Sequence, residues 1–236
     1  MIDAVELAHR LVDIPSVTGE EAGGRGAKTA NAHPRAAECR FLVNGEPTEN
    51  RLIRGCKGSL RVRLSTSGPG GHSAYPEAAP SAIDALVAVL ADIQTAPWPS
   101  DPMLGGTTCN VGTIAGGEAL NVIARSAEAG VQLRIVTPPD AAAATLRQLV
   151  HGRAEVDVLS ATPPVYLAAP EGFETGVVSF STDIPHLTRW GRPLLLGPGS
   201  IFDAHVPAER VAIAELERGV GLYERLARVL LAEIGE

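Results

Sequence analysis

Glu46, His72 and His205 are the residues whose type and neighbours suit chemistry on a polar substrate. His72 lies in Gly70-Gly71-His72-Ser73-Ala74-Tyr75-Pro76, a glycine-bracketed loop between a strand and a helix. Loops on a rigid scaffold are where ligand-handling groups concentrate. His205 follows Gly197-Pro198-Gly199-Ser200 and precedes Pro207 and the last helix. It therefore stands at the mouth of a strand-to-helix connection, where α/β folds keep their sites. Glu46 sits between the turn Asn44-Gly45 and Pro47, a carboxylate at a strand end that can also simply hold the turn. The remaining histidines are less suggestive. His9 shares a helical segment with Arg10 and Asp13 and reads as a surface residue. His151 follows a helix end, where a cation suits the dipole. His33 lies in a stretch without periodicity.

Several chemistries are excluded by pattern. The chain has no G-x-S-x-G, no Walker loop and no H-E-x-x-H. It has no C-x-x-C for a structural zinc. Its net charge of -7 argues against nucleic acid, whose phosphates need a basic face. No run of about 18 apolar residues is present, so no membrane span is expected. The N-terminus carries acids early and lacks an apolar h-region, so it does not read as a secretory signal. Three widely spaced cysteines, Cys39, Cys56 and Cys109, suit a reducing cytoplasm better than a disulfide framework.

The elements that must hold these residues can be read from periodicity. Residues 3–12 suggest a helix, capped by Asp3 with Glu6 in the capping-box position and Val5, Ala8, Leu11 and Val12 on one face. Residues 22–40 have no period of 2 or 3.6 and almost no large apolar residue, which suits a linker or a piece without native structure. Residues 60–66 alternate, with Leu60, Val62 and Leu64 inward and Arg61, Arg63 and Ser65 outward. A helix is expected over 80–94, with Pro80 near its first turn and Ile83, Leu86, Val87 and Leu90 inward. A strand at 108–114 follows. The cleanest strand is 126–136, with Ala127, Ala129, Val131, Leu133 and Ile135 inward and Glu128, Gln132 and Arg134 outward. A helix over 140–150 and a strand over 155–159 complete a strand, helix, strand, strand, helix, strand order across 58–160. That order is the ferredoxin-like plan, four antiparallel strands with two helices on one face. The last third returns to α/β. Short apolar runs at 176–180 and 193–197 precede a helix over 208–233, whose expected inner stripe is Ile213, Leu216, Val220, Tyr223, Leu226 and Leu230.

Together these residues resemble the zinc-dependent family that holds acetylornithine deacetylase, succinyl-diaminopimelate desuccinylase and glutamate carboxypeptidase. The segments that carry the resemblance are Pro15-Ser16-Val17-Thr18-Gly19-Glu20-Glu21, Gly45-Glu46-Pro47-Thr48, Lys57-Gly58 and Gly71-His72-Ser73-Ala74-Tyr75-Pro76. Asn110-Val111-Gly112-Thr113-Ile114 with Gly116-Gly117, and Asn121-Val122-Ile123, continue it. It ends with Ser181-Thr182-Asp183-Ile184-Pro185-His186, Gly197-Pro198-Gly199 and Ala204-His205. The resemblance covers roughly residues 1–21 and 41–236. It implies an α/β metallohydrolase domain with an inserted dimerisation domain, here 1–52 and 161–236 around 53–160. By the same resemblance, Glu46 and His205 are each a ligand of one of two zinc ions. His72 is the histidine that reaches into the partner's site and steadies the oxyanion, and Asn121, Arg134 and Lys57 hold the substrate carboxylate. The expected activity is hydrolysis of the amide of an N-acyl amino acid or small peptide by a cytoplasmic homodimer.

One departure from the family pattern changes that expectation. The family carries a His-x-Asp ligand pair, a bridging Asp and a Glu-Glu pair before Gly-Glu-Pro-Thr, and this chain has only residues 22–40 there. No His-x-Asp occurs anywhere in it, and Glu20-Glu21 belongs to the N-terminal segment. A catalytic zinc takes about three protein ligands. The expectation is thus a truncated α/β metallohydrolase of weak or lost activity, with His33, Glu38, Cys39 and Asp183 the nearby substitute ligands. The alternatives are a non-catalytic homodimerising module and the product of a deleted or frame-shifted gene.

Overall fold

The structure is a computed structural model and describes residues 25–235. The helix expected over 3–12 lies outside the described residues. In chain order the elements are α1 (Arg25–Asn31), β1 (Phe41–Asn44), β2 (Leu52–Cys56), β3 (Gly58–Ser67), β4 (Gly71–His72) and α2 (Ala82–Thr95). They continue with β5 (Ser100–Asp101), β6 (Gly105–Gly106), β7 (Thr108–Gly116), β8 (Val122–Ile123), β9 (Ser126–Ile135) and α3 (Pro139–Val150). The last are β10 (Glu155–Thr162), β11 (Val165–Tyr166), β12 (Thr175–Val178), β13 (Arg192–Leu195) and α4 (Ile213–Gly235). The chain forms two compact units. One takes the described residues up to Cys56, then Val165–Val178 and those from Thr182 on. The other takes Lys57–Pro164 and Ser179–Ser181.

The second unit is the ferredoxin-like domain that the element order implies. Its sheet runs β10-β3-β9-β7, with every pair antiparallel. The alternation read from the sequence decides which face is covered. Leu60, Val62, Leu64, Ala127, Ala129, Val131, Leu133 and Ile135 are all buried in one core with α2 and α3. Arg61, Arg63, Gln132 and Arg134 fall on the opposite face. The inward face of α2 differs from expectation. Ala82, Leu86, Val89, Leu90 and Ile93 are buried, while Ile83 and Val87 stay 36% and 51% exposed. The helix starts later than expected because Ser81 caps it, its hydroxyl accepting from the Asp84 N–H at 3.3 Å. Pro80 is left outside. The small Ala82 rather than Ile83 then meets the core.

The first unit is built from thin sheets. β1 pairs in parallel with β13, and β2 sits between antiparallel β11 and parallel β12. Leu194, Leu195 and Leu196 are all fully buried, so β13 is covered on both faces. Leu194 and Leu196 pack with Leu52, Leu226 and Leu230 on one side, and Leu195 with Ile53, Leu167 and Ile184 on the other. The inner stripe of α4 is narrower than expected. Gly219, Leu226 and Leu230 are buried, whereas Ile213 and Val220 are exposed. Gly219 takes the place of Val220 because a Cβ there would stand 3.1 Å from Asn50 Oδ1, so glycine lets the helix approach Asn50 and Pro198 closely.

The described part of the aperiodic stretch, residues 25–40, carries secondary structure, which there corrects the expectation of a linker. α1 and a 3-10 turn at Pro34–Glu38 occupy it. The stabilising contacts are tertiary, not periodic. Asn31 donates to Thr188 Oγ1 at 3.2 Å and accepts from the Arg189 N–H at 2.9 Å. His33 Nδ1 accepts from the Arg35 N–H at 3.3 Å and caps the turn, and Ala27 and Ala36 supply small buried contacts.

Candidate functional site

In the first unit the strand-end segment Gly45-Glu46-Pro47-Thr48 is clasped against Gly197-Pro198-Gly199. Thr48 Oγ1 accepts from the Gly197 N–H at 3.0 Å and lies 2.8 Å from the Arg51 carbonyl, to which it donates. The Thr48 N–H donates to the Gly197 carbonyl at 3.2 Å. A Cβ on Gly197 would fall 2.3 Å from the Glu46 carbonyl oxygen, so only glycine admits this approach. The clasp fixes the backbone from which Glu46 projects. Burial pushes the Glu46 carboxyl up to about 7, the Asp183 charge adds to the rise, and His205 opposes it. Glu46, Asp183 and His205 thus share one electrostatic neighbourhood. His205 holds a left-handed φ of 59°, and its N–H donates to a Glu209 carboxylate oxygen at 2.8 Å.

This neighbourhood does not amount to a metal centre. Among the described residues, no three His, Cys, Asp or Glu side chains converge to hold a metal ion. Of the substitute ligands named from the sequence, Asp183 stands near Glu46, and the other three are engaged locally instead. His33 Nδ1 caps its turn, Glu38 pairs with Arg35 at 3.9 Å, and Cys39 Sγ donates to the Arg35 carbonyl at 3.4 Å. Two zinc ions therefore do not fit the donor set that the described residues supply.

In the second unit, β4 pairs with β8 so that His72 lies opposite Val122, and the Ser73 N–H donates to the Asn121 carbonyl at 3.1 Å. His72 and Asn121 are thus brought to one short hairpin, both exposed. His72 Nδ1 accepts from the Ala74 N–H at 3.1 Å. In the neutral imidazole this leaves the proton on Nε2 as a donor. Arg134 lies on the outer face of β9, half-buried, and donates to Ser181 Oγ at 3.2 Å. Burial and then the Arg61 charge lower its pKa. Lys57, only 5% exposed, donates to the Gly106 carbonyl, and burial lowers its pKa too. Asn121 sits on the hairpin, away from the sheet row that carries Arg134.

One feature escaped the sequence reading. Arg61 was recognisable only as an outward residue of an alternating strand. Its nearness to Arg134 depends on the register that sets Ser59 opposite Arg134 and Arg61 opposite Gln132. Asp183, by contrast, was named from the sequence as a nearby substitute ligand, and its charge does act on Glu46.

Residues 54–158 match the family profile described as the M20 peptidase dimerisation domain. A peptidase M20 domain-containing protein of Schizosaccharomyces pombe is 37% identical over 217 residues, covering 89% of this chain and 53% of that protein. A probable carboxypeptidase of Aspergillus clavatus is 35% identical over 244 residues, covering 91% of this chain and 54% of the relative. The chain thus spans about half the length of the curated relatives it matches. Among solved structures, a tripeptidase from Staphylococcus aureus superposes with a TM-score of 0.63 at 17% identity, over 93% of this chain and 66% of that one. An aminopeptidase from Bacillus cereus superposes with a TM-score of 0.61 at 17% identity, over 87% of this chain and 60% of the other. At these identities the likeness is one of fold.

Proposed function

The chain belongs to the M20 peptidase family, and from that premise we propose that it serves amide hydrolysis of the acetylornithine deacetylase type. Its substrate would be an N-acyl amino acid or small peptide, and it would act as a cytoplasmic homodimer. One observation carries the reading. Arg134 is half-buried on the open sheet face, with a serine hydroxyl and no carboxylate as its partner. A guanidinium in that setting is satisfied by a substrate carboxylate, which it binds in a planar fork. Arg134 holds the carboxylate in this reading, while Asn121 on the β4–β8 hairpin and Lys57 at the Gly106 carbonyl would join it only from their separate positions. His72 of the partner subunit donates its Nε2–H to the oxyanion that develops on the amide oxygen. The free thiols of Cys39, Cys56 and Cys109 support a reducing compartment.

Glu46 and His205 keep one ligand position for each of two zinc ions, and the described residues complete neither site. Turnover by this chain alone is accordingly expected to be weak. Titration calorimetry with N-acetyl amino acids, paired with a zinc count and an amide-hydrolysis assay, tests this. Binding should require the free α-carboxylate and weaken about tenfold or more in Arg134→Gln, the scale of one charge-assisted contact. Equal binding of the α-carboxamide analogue would sink the reading.

A second reading, a non-catalytic homodimerising module, is favoured by the same incomplete donor set beside a dimerisation-domain match. Stoichiometric zinc together with clear hydrolysis in that assay would remove it.

A further inference from the structure

We propose that Arg61 and Arg134 form a two-anion subsite on the open sheet face, so that the preferred substrate carries a second carboxylate held at Arg61. This rests on the reading that Arg134 holds the first. The strand register places the two guanidinium groups as diagonal neighbours on one face, because Ser59 is opposite Arg134 and Arg61 opposite Gln132. Diagonal pairs on a sheet lie about 7–8 Å apart, well within the reach of two arginines. Their proximity shows in the way Arg61 disfavours the charged form of Arg134.

Neither arginine has an acidic partner among the described residues, whereas the next arginine along β3 does. Arg63 binds Asp157 at 2.6 Å across the β3–β10 pair. Neutral hydrogen-bonding residues surround the two unpaired cations. Ser160, Gln132 and Asn110 share the cross-strand row of Arg61, and Thr162, Ser59 and Thr108 that of Arg134. The other acids of this face, Glu155 and Glu128, stand opposite Ser65, beyond the Arg63 row. Two like charges side by side repel unless an anion neutralises them. The chain does not lack acids to do so, with 27 Asp and Glu against 20 Lys and Arg. The empty counter-charge positions, edged with hydroxyls and amides, match a ligand that brings its own two carboxylates.

The second carboxylate can belong to the amino-acid side chain or to the acyl group, and the test separates these. Calorimetric titration of the full chain compares N-acetyl-glutamate and N-succinyl-alanine, each with two carboxylates, against N-acetyl-glutamine and N-acetyl-alanine, each with one. The wild type should bind at least one of the dicarboxylates about tenfold or more tightly than its one-carboxylate counterpart. Whichever pair shows the preference tells where the second carboxylate sits, and either supports the proposal. Arg61→Gln should abolish the preference while leaving N-acetyl-alanine binding unchanged, and Arg61→Lys should restore part of it. A wild type that does not distinguish two carboxylates from one overturns the proposal, as does an Arg61→Gln variant that loses both classes equally. Arg134→Gln serves as the control for the premise. If it leaves N-acetyl-alanine binding intact, the carboxylate reading itself is wrong, a result distinct from failure at Arg61. Arg61 is exposed, so both of its variants should melt like the wild type.

Discussion

Cys56 shows what burial does to a reactive group in this chain. Its thiol is fully buried in the first unit, and burial pushes its pKa up to about 11, against opposing hydrogen bonds from Thr182 and Val165. The unfolded value is 9.0. A folded pKa above the unfolded one adds stability that is complete below pH 9 and is lost as pH rises through 11. Iodoacetamide at pH 8 should therefore spare Cys56 in the native protein and label it after urea unfolding, whereas the partly exposed Cys39 should react at once. Rapid native labelling of Cys56 would contradict the burial. At this scale the sequence was uneven. His72 and Arg134 were legible because a glycine loop and a strict alternation mark their positions. Arg61 was not, because pairing across strands depends on register, and register is a property of two segments.

The clasp between Gly197 and the Glu46 segment is the element that most directly positions a candidate site residue. A methyl at residue 197 would overlap the Glu46 carbonyl, so Gly197→Ala must push the Glu46 segment and the 197–199 loop apart. Overpacking of this kind costs about 1–3 kcal/mol, and a urea melt should show that loss of stability. A variant with wild-type stability would mean that the clasp is looser than described. Elsewhere the elements of the second unit followed from periodicity, since one buried sheet face imposes a period of two. Helix faces were less legible. In α2 and α4 the inward stripe was shifted by a small residue, Ala82 or Gly219, that allows close approach where a larger side chain was expected to pack. The α1 region was illegible for a related reason. Its order comes from Asn31 bonding to residues 157 and 158 positions away, a contact that leaves no local period.

At the scale of the whole molecule, one of the two edge strands of the second unit's main sheet bears on self-association. β7 pairs on one side only, contains no charged residue or proline, and exposes Ile114. Edge strands that must stay alone are normally blunted by charge or proline. The homodimer proposed above predicts a dimer at micromolar concentration in sedimentation equilibrium, weakened about tenfold or more by Ile114→Lys. A wild-type monomer at that concentration would count against it. Each unit also has a core of its own, and each carries one of the chain's two tryptophans. Trp98 packs on the second unit's core with its indole N–H on the Ile93 carbonyl at 2.8 Å, and Trp190 belongs to the first unit. The molecule thus has one intrinsic fluorophore per unit. Trp98→Phe leaves emission from the first unit alone and Trp190→Phe from the second, so the order in which the two units melt can be read without attaching a dye.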